Sequence, residues 1–481
     1  MSMCDTEKSV DEMDARERAR YIDDLTPRGG LYTEVQREVH PQSNSSWRVS
    51  SDPWWLPPPV LSHLEALGQH LYQFYKALNL LYSQSIRGIQ PAWVACYLDQ
   101  GKSEEVIKFG QMSRFKSHVP LVIRPDVIPT RAGMIATELD SVPGGIGFTA
   151  SLAERYAKLG DQIVGGANGM VTGFAQMIRD VAGTDAPVLG IVVSEEASAY
   201  RPEMSYLGDR LNAIGLETYV IGPEEVSFVE DGLFVNGANG RRRIDVIYRF
   251  FELFDLRNLP QIDLIFYAVR KGLVKLTPPL KAYHEEKMMM ALFHHPLLSN
   301  FWHQYLGKKS VAFLRQTFPK TWILDPAPLP PQGIIAGLEI DGQSFSDWRA
   351  LGHLGQKHRQ LVIKPSGYSE MAWGSRGVTI GHDMAERDWQ GVIDEALCAF
   401  EQTPHIMQEF HNGATFSASY YDYETDQIET FRGRVRLQPY YFVIKNKAVL
   451  SGLQATVCPA DKKILHGMVD AVVVPGAIKD T

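Results

Sequence analysis

Cysteine is scarce in this chain. Four occur in 481 residues, Cys4, Cys96, Cys398 and Cys458, widely scattered and with no CxxC pair. That excludes a thiolate zinc ribbon and a disulfide framework, and reduced, cytosolic thiols are the simplest expectation. Long apolar runs are also missing: no stretch approaches the roughly 20 residues that span a bilayer. The first twenty residues, MSMCDTEKSVDEMDARERAR, are charged throughout and lack the apolar core of a secretory leader. Positive charge is not in excess, with 48 lysines and arginines against 56 acidic residues and a net charge of −8. The chain therefore has no broad electrostatic reason to bind nucleic acid or an anionic membrane, and the local Arg241–Arg243 cluster reads as a solvated run. Neither GxxxxGK[ST] nor GxGxxG after a strand is present, so the common phosphate-binding loops are excluded.

What is present is an ordinary globular composition, 44% hydrophobic, in a chain too long for one core. Roughly two to four packed units are expected. Residues 1–60 form a polar N-terminal extension. Residues 61–118 are helical, with Leu61, Leu64, Leu67, Leu71, Phe74, Leu78 and Leu81 recurring at three and four residues. That stripe is core or, in a homodimer, an intermolecular seam. Residues 119–185 contain two strands, a glycine-rich turn (Pro143–Gly147) and a helical stretch near 150–183. From 186 to 256 the pattern is strand, helix, strand, hairpin, strand, the mark of a small open α/β unit. Residues 257–330 read as helical, and strands dominate again beyond 360. The fold class is therefore α/β (α+β).

Three segments carry chemistry. In LVIRPDVIPTRAGMIATELDSVPGG, Glu138 and Asp140 are two residues apart, so an extended strand points both the same way. Asp126 ends a preceding apolar run and returns beside them through a turn at Pro129–Gly133. Three carboxylates on one face repel unless a cation sits among them, and Mg²⁺ accepts such ligands and bridges them to phosphates. From the spacing alone, a solvated hairpin face is the equal alternative. The second segment, LVIKPSGYSEMAWGSRGVTIG, ends a strand at Lys364 and opens a loop with Ser366, Gly367, Gly374, Ser375, Arg376 and Gly377. Such a loop can lay backbone N–H groups on phosphate oxygens, with Lys364 at its base. The third, HIMQEF, sets Gln408, Glu409 and Phe410 at a strand end, where a backbone edge can meet an adenine. Lys287, in KAYHEEKMMMALF, reads by itself as a solvated lysine on a helix.

In this order the segments resemble the circularly permuted branch of the ATP-grasp superfamily, which includes glutathionylspermidine synthetase. That family's pattern, Arg-x-Asp followed by Glu-x-Asn, is matched by Arg124, Asp126 and Glu138, with Asp140 in place of asparagine. The resemblance covers roughly residues 119–475 and is most specific in this segment. It implies a permuted ATP-grasp fold with a small pre-ATP-grasp-like domain at 186–256, a metal-binding part at 119–185 and a nucleotide-binding region at 257–481. It implies ATP and Mg²⁺ as cofactors, with Asp126, Glu138 and Asp140 on the metal, Lys287 and Lys364 on the phosphates, the 366–377 loop closing over them, and Gln408–Phe410 at the adenine. Arg124 would stabilise the acyl-phosphate or the attacking intermediate. Arg434 or Arg436 would stand in for an arginine that the closing strand lacks at Thr456, and Arg249 and Glu252 would contact substrate.

The activity implied is an ATP-dependent carboxylate–amine ligase. It would phosphorylate a small-molecule acid, because hydroxide is a poor leaving group, and let an amine displace the phosphate. A phosphotransferase on the same fold and a non-catalytic nucleotide-binding protein are the rival readings. The residues name neither the acid nor the amine.

Overall fold

The computed structural model describes residues 12–32, 42–237, 240–372, 374, 376–465 and 470–479. Cys4 and Ser375 lie outside the described residues. At the centre is a seven-stranded sheet. Its order is Trp54–Leu56, Val472–Ile478, Lys447–Pro459, Gln427–Ile444, Val122–Thr130 and Gly133–Asp140, with Thr415–Asp422 also pairing along Gln427–Ile444. The two acidic strands form the expected hairpin, in which Asp126 faces Glu138 and Arg124 faces Asp140 across the ladder. Residues more than three hundred positions later dock against it, with Leu437 opposite Val127 and Tyr441 opposite Ile123.

The leucine-striped helix spans Pro58–Ile86 behind two prolines that need no helical N–H partner. Leu64, Leu67, Leu71, Phe74, Leu78 and Leu81 are buried in the main core of this chain, with Leu61 packed at its edge. The stripe is thus core rather than an open seam. The N-terminal extension contributes a helix, Ala15–Asp24, closed by a capping box between Asp14 and Glu17. Its Ala19 and Ile22 join the same core.

The stretch expected to be helical near 150–183 is two helices, Ile146–Lys158 and Gly169–Ala182. Gly160, Gly165 and Gly166, all at positive φ, break it. The small parallel sheet has the order Lys275–Thr277, Val246–Phe250, Leu189–Val193, Thr218–Ile221. Its edge strand therefore comes from beyond residue 256, in a region read as helical. Lys275–Thr277 is too short for a period to show. A second four-stranded sheet, Thr321–Ile323, His405–Glu409, Leu361–Pro365, Thr379–Ile380, carries Lys364 and Gln408. Among the described residues no helix is long and apolar enough to cross a membrane, and Cys96 and Cys398 are free thiols.

Candidate active site

The acidic hairpin, the long strand Gln427–Ile444 and the small sheet meet at a cavity of ≈ 190 Å³. Asp126, Glu138, Asp140, Arg124, Arg436 and Glu252 all line it, and Ala372 and Gly374 of the 366–377 loop lie against it. Period-two geometry explains the first group. Arg124 and Asp126 share one face of their strand, and Glu138 and Asp140 share the same face of its partner. Arg436, Gln438 and Tyr440 alternate onto this face from the neighbouring strand.

The repulsion expected among three carboxylates is relieved by cations. Arg436 Nη1 is 3.1 Å from Asp126, Arg124 Nη2 is 3.0 Å from Asp140, and Arg124 Nε is 3.4 Å from Asp126. Lys287 Nζ is 2.7 Å from Glu138. Gln438 Nε2 donates to Asp126 at 3.1 Å and is itself held by Gln454. Burial alone would raise the Asp126 carboxyl, but Arg436 and then Arg124 hold it below its ordinary value. For Asp140 burial outweighs Arg124 and the carboxyl is raised. Arg124 and Arg436 each keep a buried Nε–H without a hydrogen-bond acceptor. An unsatisfied buried donor is costly, so the Arg436 Nε–H beside the cavity suits an anionic ligand, whereas the Arg124 Nε–H already faces Asp126 at 3.4 Å.

Lys287 is not on a helix, as its neighbours implied. It is the N-cap of the short helix Met288–His294 and is buried. Its ammonium also donates to Ala372 O at 3.3 Å, joining the hairpin to the loop. Lys364 Nζ donates to Gln408 Oε1 at 3.0 Å and to Thr137 O at 3.3 Å. Burial, reinforced by the Lys287 charge, brings Lys364 down to about 8, although Glu138 and Asp126 resist.

The loop base is anchored by a buried pair. Lys102 Nζ lies 2.6 Å from Glu286 at 2% and 1% side-chain exposure. Glu286 also accepts from Ser366 Oγ, which in turn accepts the Met288 N–H at 2.9 Å. Gly367 is needed here because a Cβ would stand 2.6 Å from Glu285 O.

Other expected residues stand elsewhere. Arg434 bonds the carbonyls of Ala460 and Lys462. Arg249 is fully buried, paired with Glu285 and donating to Phe251 O at 2.7 Å, and braces the segment leading to Lys287. Gln408 turns its amide inward to Lys364 and Thr321. Glu409 pairs with Lys320 at 3.4 Å, and Phe410 packs on His382. Arg376 is exposed, and Gly377 N–H caps Met371 O at 3.0 Å. None of these residues lines the cavity.

Several lining residues carried no readable signal: Tyr200, Glu203, Gln438, Tyr440 and Gln454. Glu203 reaches from the helix Arg201–Ala213 to accept the N–H groups of Gly145 at 2.6 Å and Phe148 at 3.0 Å. It thereby caps the helix that follows the glycine turn. Burial raises it to about 7 against those two N–H groups. Gly145 sits at φ +90, and a Cβ there would be 2.3 Å from Tyr440 Oη.

No family model matches the sequence, and no curated protein sequence matches it. Among solved structures, the chain is similar to a glutathione synthetase-like effector from Globodera pallida in its apo form. The identity is 12% and the TM-score 0.56, over 97% of this chain and 98% of that one. A candidate γ-glutamylcysteine synthetase from Methylobacillus flagellatus superposes at a TM-score of 0.38, with 11% identity over 84% of this chain and 86% of that one. The first of these shows the fold alone: this chain shares the overall fold of that structure.

Proposed function

We propose that the chain is an ATP-dependent carboxylate–amine ligase of the permuted ATP-grasp type, forming an amide through an acyl-phosphate with release of ADP and phosphate. One observation carries the reading. Three carboxylates line one cavity with Arg124 and Arg436, Lys287 pairs with Glu138 of that set, and Lys364 bonds the carbonyl of the adjacent Thr137. The likeness in fold to a glutathione synthetase-like protein is consistent with it.

The residues divide the work. Lys287 and Lys364 offset phosphate charge. Arg124 and Arg436, both lining the cavity, would hold the carboxylate substrate and the oxyanion that develops on it. No three described acidic, histidine or cysteine side chains are gathered tightly enough to hold an ion by themselves. Mg²⁺ commonly takes one or two carboxylates and completes its shell with phosphate oxygens. Asp126 and Glu138, cross-strand partners, would hold it, with Asp140 beside them. When bound it offsets charge on the transferring phosphoryl group. The cavity is below the roughly 300–1,000 Å³ of small-molecule sites, so entry of a nucleotide requires Ala372 and Gly374 to withdraw. Their return would exclude water from the acyl-phosphate.

A phosphate-release screen with Mg·ATP across acids and amines tests the proposal. The expected products are ADP, free phosphate and an amide, with Lys364→Ala and Glu138→Ala folded but inactive. A stable phosphorylated product instead identifies a phosphotransferase. The ion pairs already occupying Glu138 and Asp126 favour a second reading, nucleotide binding without turnover. Calorimetric Mg·ATP binding with no phosphate released would establish it.

A further inference from the structure

A second cavity, of ≈ 440 Å³ and sharing no residue with the first, lies where the small parallel sheet meets the 109–121 segment. Its walls include Phe109, Phe115 and Leu276, and its polar side is cationic: Arg114, Lys275 and Lys281 line it, and among the described residues no aspartate or glutamate does.

The bonding of these cations is one-sided. Arg114 donates to Arg270 O, and Lys275 Nζ to Ala182 O at 2.8 Å. Lys281 Nζ donates to Asn79 Oδ1 at 2.7 Å, His118 O at 2.8 Å and Lys116 O at 3.5 Å. Every acceptor is neutral. Lys281 is 2% exposed, whereas Arg114 and Lys275 stand at the exposed rim. A buried ammonium ordinarily has a counter-charge. Here burial instead lowers Lys281 to about 7. An apolar chamber whose charged side chains are all basic, with no acid among the described residues, favours an anionic guest with an apolar part over a cationic one. Its volume falls in the range of small-molecule sites, which occur preferentially between packed units.

We propose that this cavity binds a monocarboxylate bearing an apolar tail, with the carboxylate toward Lys281 and Arg114 and the tail between Phe109, Phe115 and Leu276. The site is independent of the candidate active site and of its chemistry.

Calorimetry on the full chain tests it with octanoate, octanol, octylammonium and butanoate. Octanoate is expected to bind at least tenfold more tightly than octanol or octylammonium, and to gain up to about fourfold per methylene over butanoate. Arg114→Gln, at the exposed rim, should weaken octanoate at least fivefold. Lys281→Met should weaken it further while leaving octanol unchanged. Because Lys281 holds three internal acceptors, the rim variant keeps the test valid should Lys281→Met not fold. Glu138→Gln should leave octanoate binding unaltered. Equal affinity for octanoate and octanol, no octanoate binding up to its solubility, or loss of binding in Glu138→Gln but not in Arg114→Gln would overturn the assignment.

Discussion

Lys287 Nζ stands 2.7 Å from the Glu138 carboxylate and 3.3 Å from Ala372 O, so one ammonium ties the acidic hairpin to the loop beside it. A phosphate entering the cavity competes for that ammonium, and a metal competes for that carboxylate. Lys287→Met is therefore expected to lower Mg·ATP turnover by about a hundredfold or more, the scale of losing one preorganised charge donor. The Glu138 side chain remains partly solvated, so the unfolding temperature should move by only a few degrees. Phosphate release and thermal melting of the same preparation check both halves.

Asp126 is kept ionised by Arg436 and Arg124 against the pull of burial. A depressed carboxyl contributes stability that is present above its unfolded value of 3.8 and lost as pH falls through the folded one. Arg436→Met removes the stronger partner and leaves Arg124 and Gln438. Acid unfolding should begin at higher pH, with a cost at neutral pH of about 1–3 kcal/mol, less than for a wholly unpaired charge. Urea titrations from pH 3 to 7 measure it.

Lys364, brought down to about 8, loses its charge well below an ordinary lysine. Metal-free ADP should accordingly bind more weakly as pH rises past about 8. Glu138 raises Lys364, so Glu138→Gln should move this alkaline limb to lower pH. Calorimetric titrations of ADP between pH 6.5 and 9.5 decide it, and an unmoved limb would assign the titration to another group.

Glu203 has the opposite sign from Asp126. Its folded value is raised from 4.5 to about 7 by burial. The stability it supports is complete below 4.5 and is lost as pH rises through about 7, a change of about 3 kcal/mol across the interval. Glu203→Gln should flatten this part of the stability curve. Chemical denaturation at half-unit steps from pH 4.5 to 8 gives the comparison.

The Lys102–Glu286 pair is buried on both sides. Removing one partner strands a charge, so Lys102→Met should cost about 3–5 kcal/mol. Lys102→Met combined with Glu286→Gln should recover most of that. Equal destabilisation of the single and double variants in urea would show that the pair does not act as a unit.

Much of the site was legible because it is local. Asp126, Glu138 and Asp140 are two-residue neighbours or hairpin partners, and Arg124 lies on the same face. Period two is enough to place such residues together. The small parallel sheet was visible in its continuous apolar strands, but not its edge at Lys275–Thr277. The adenine-edge reading of Gln408 did not anticipate that its side chain would turn inward to Lys364. Lys287 looked like a solvated helical lysine because its partners, Glu138 and Ala372, are 149 and 85 positions away.

Taken by itself, the order of residues determines which side chains share a strand face and that the Leu64–Leu81 stripe must be covered, whereas the glycine break between the helices Ile146–Lys158 and Gly169–Ala182 went unread. Those properties depend on backbone periods that extend over a few residues. Only the tertiary structure decided that Arg436 rather than Arg434 faces Asp126, that Glu203 caps the helix after the glycine turn, and that Arg114, Lys275 and Lys281 line one chamber with no acid among the described residues. Each of these follows from the register in which distant strands and helices dock, as when Leu437 settles opposite Val127. No local period encodes that register, because it is set by the packing of the whole core.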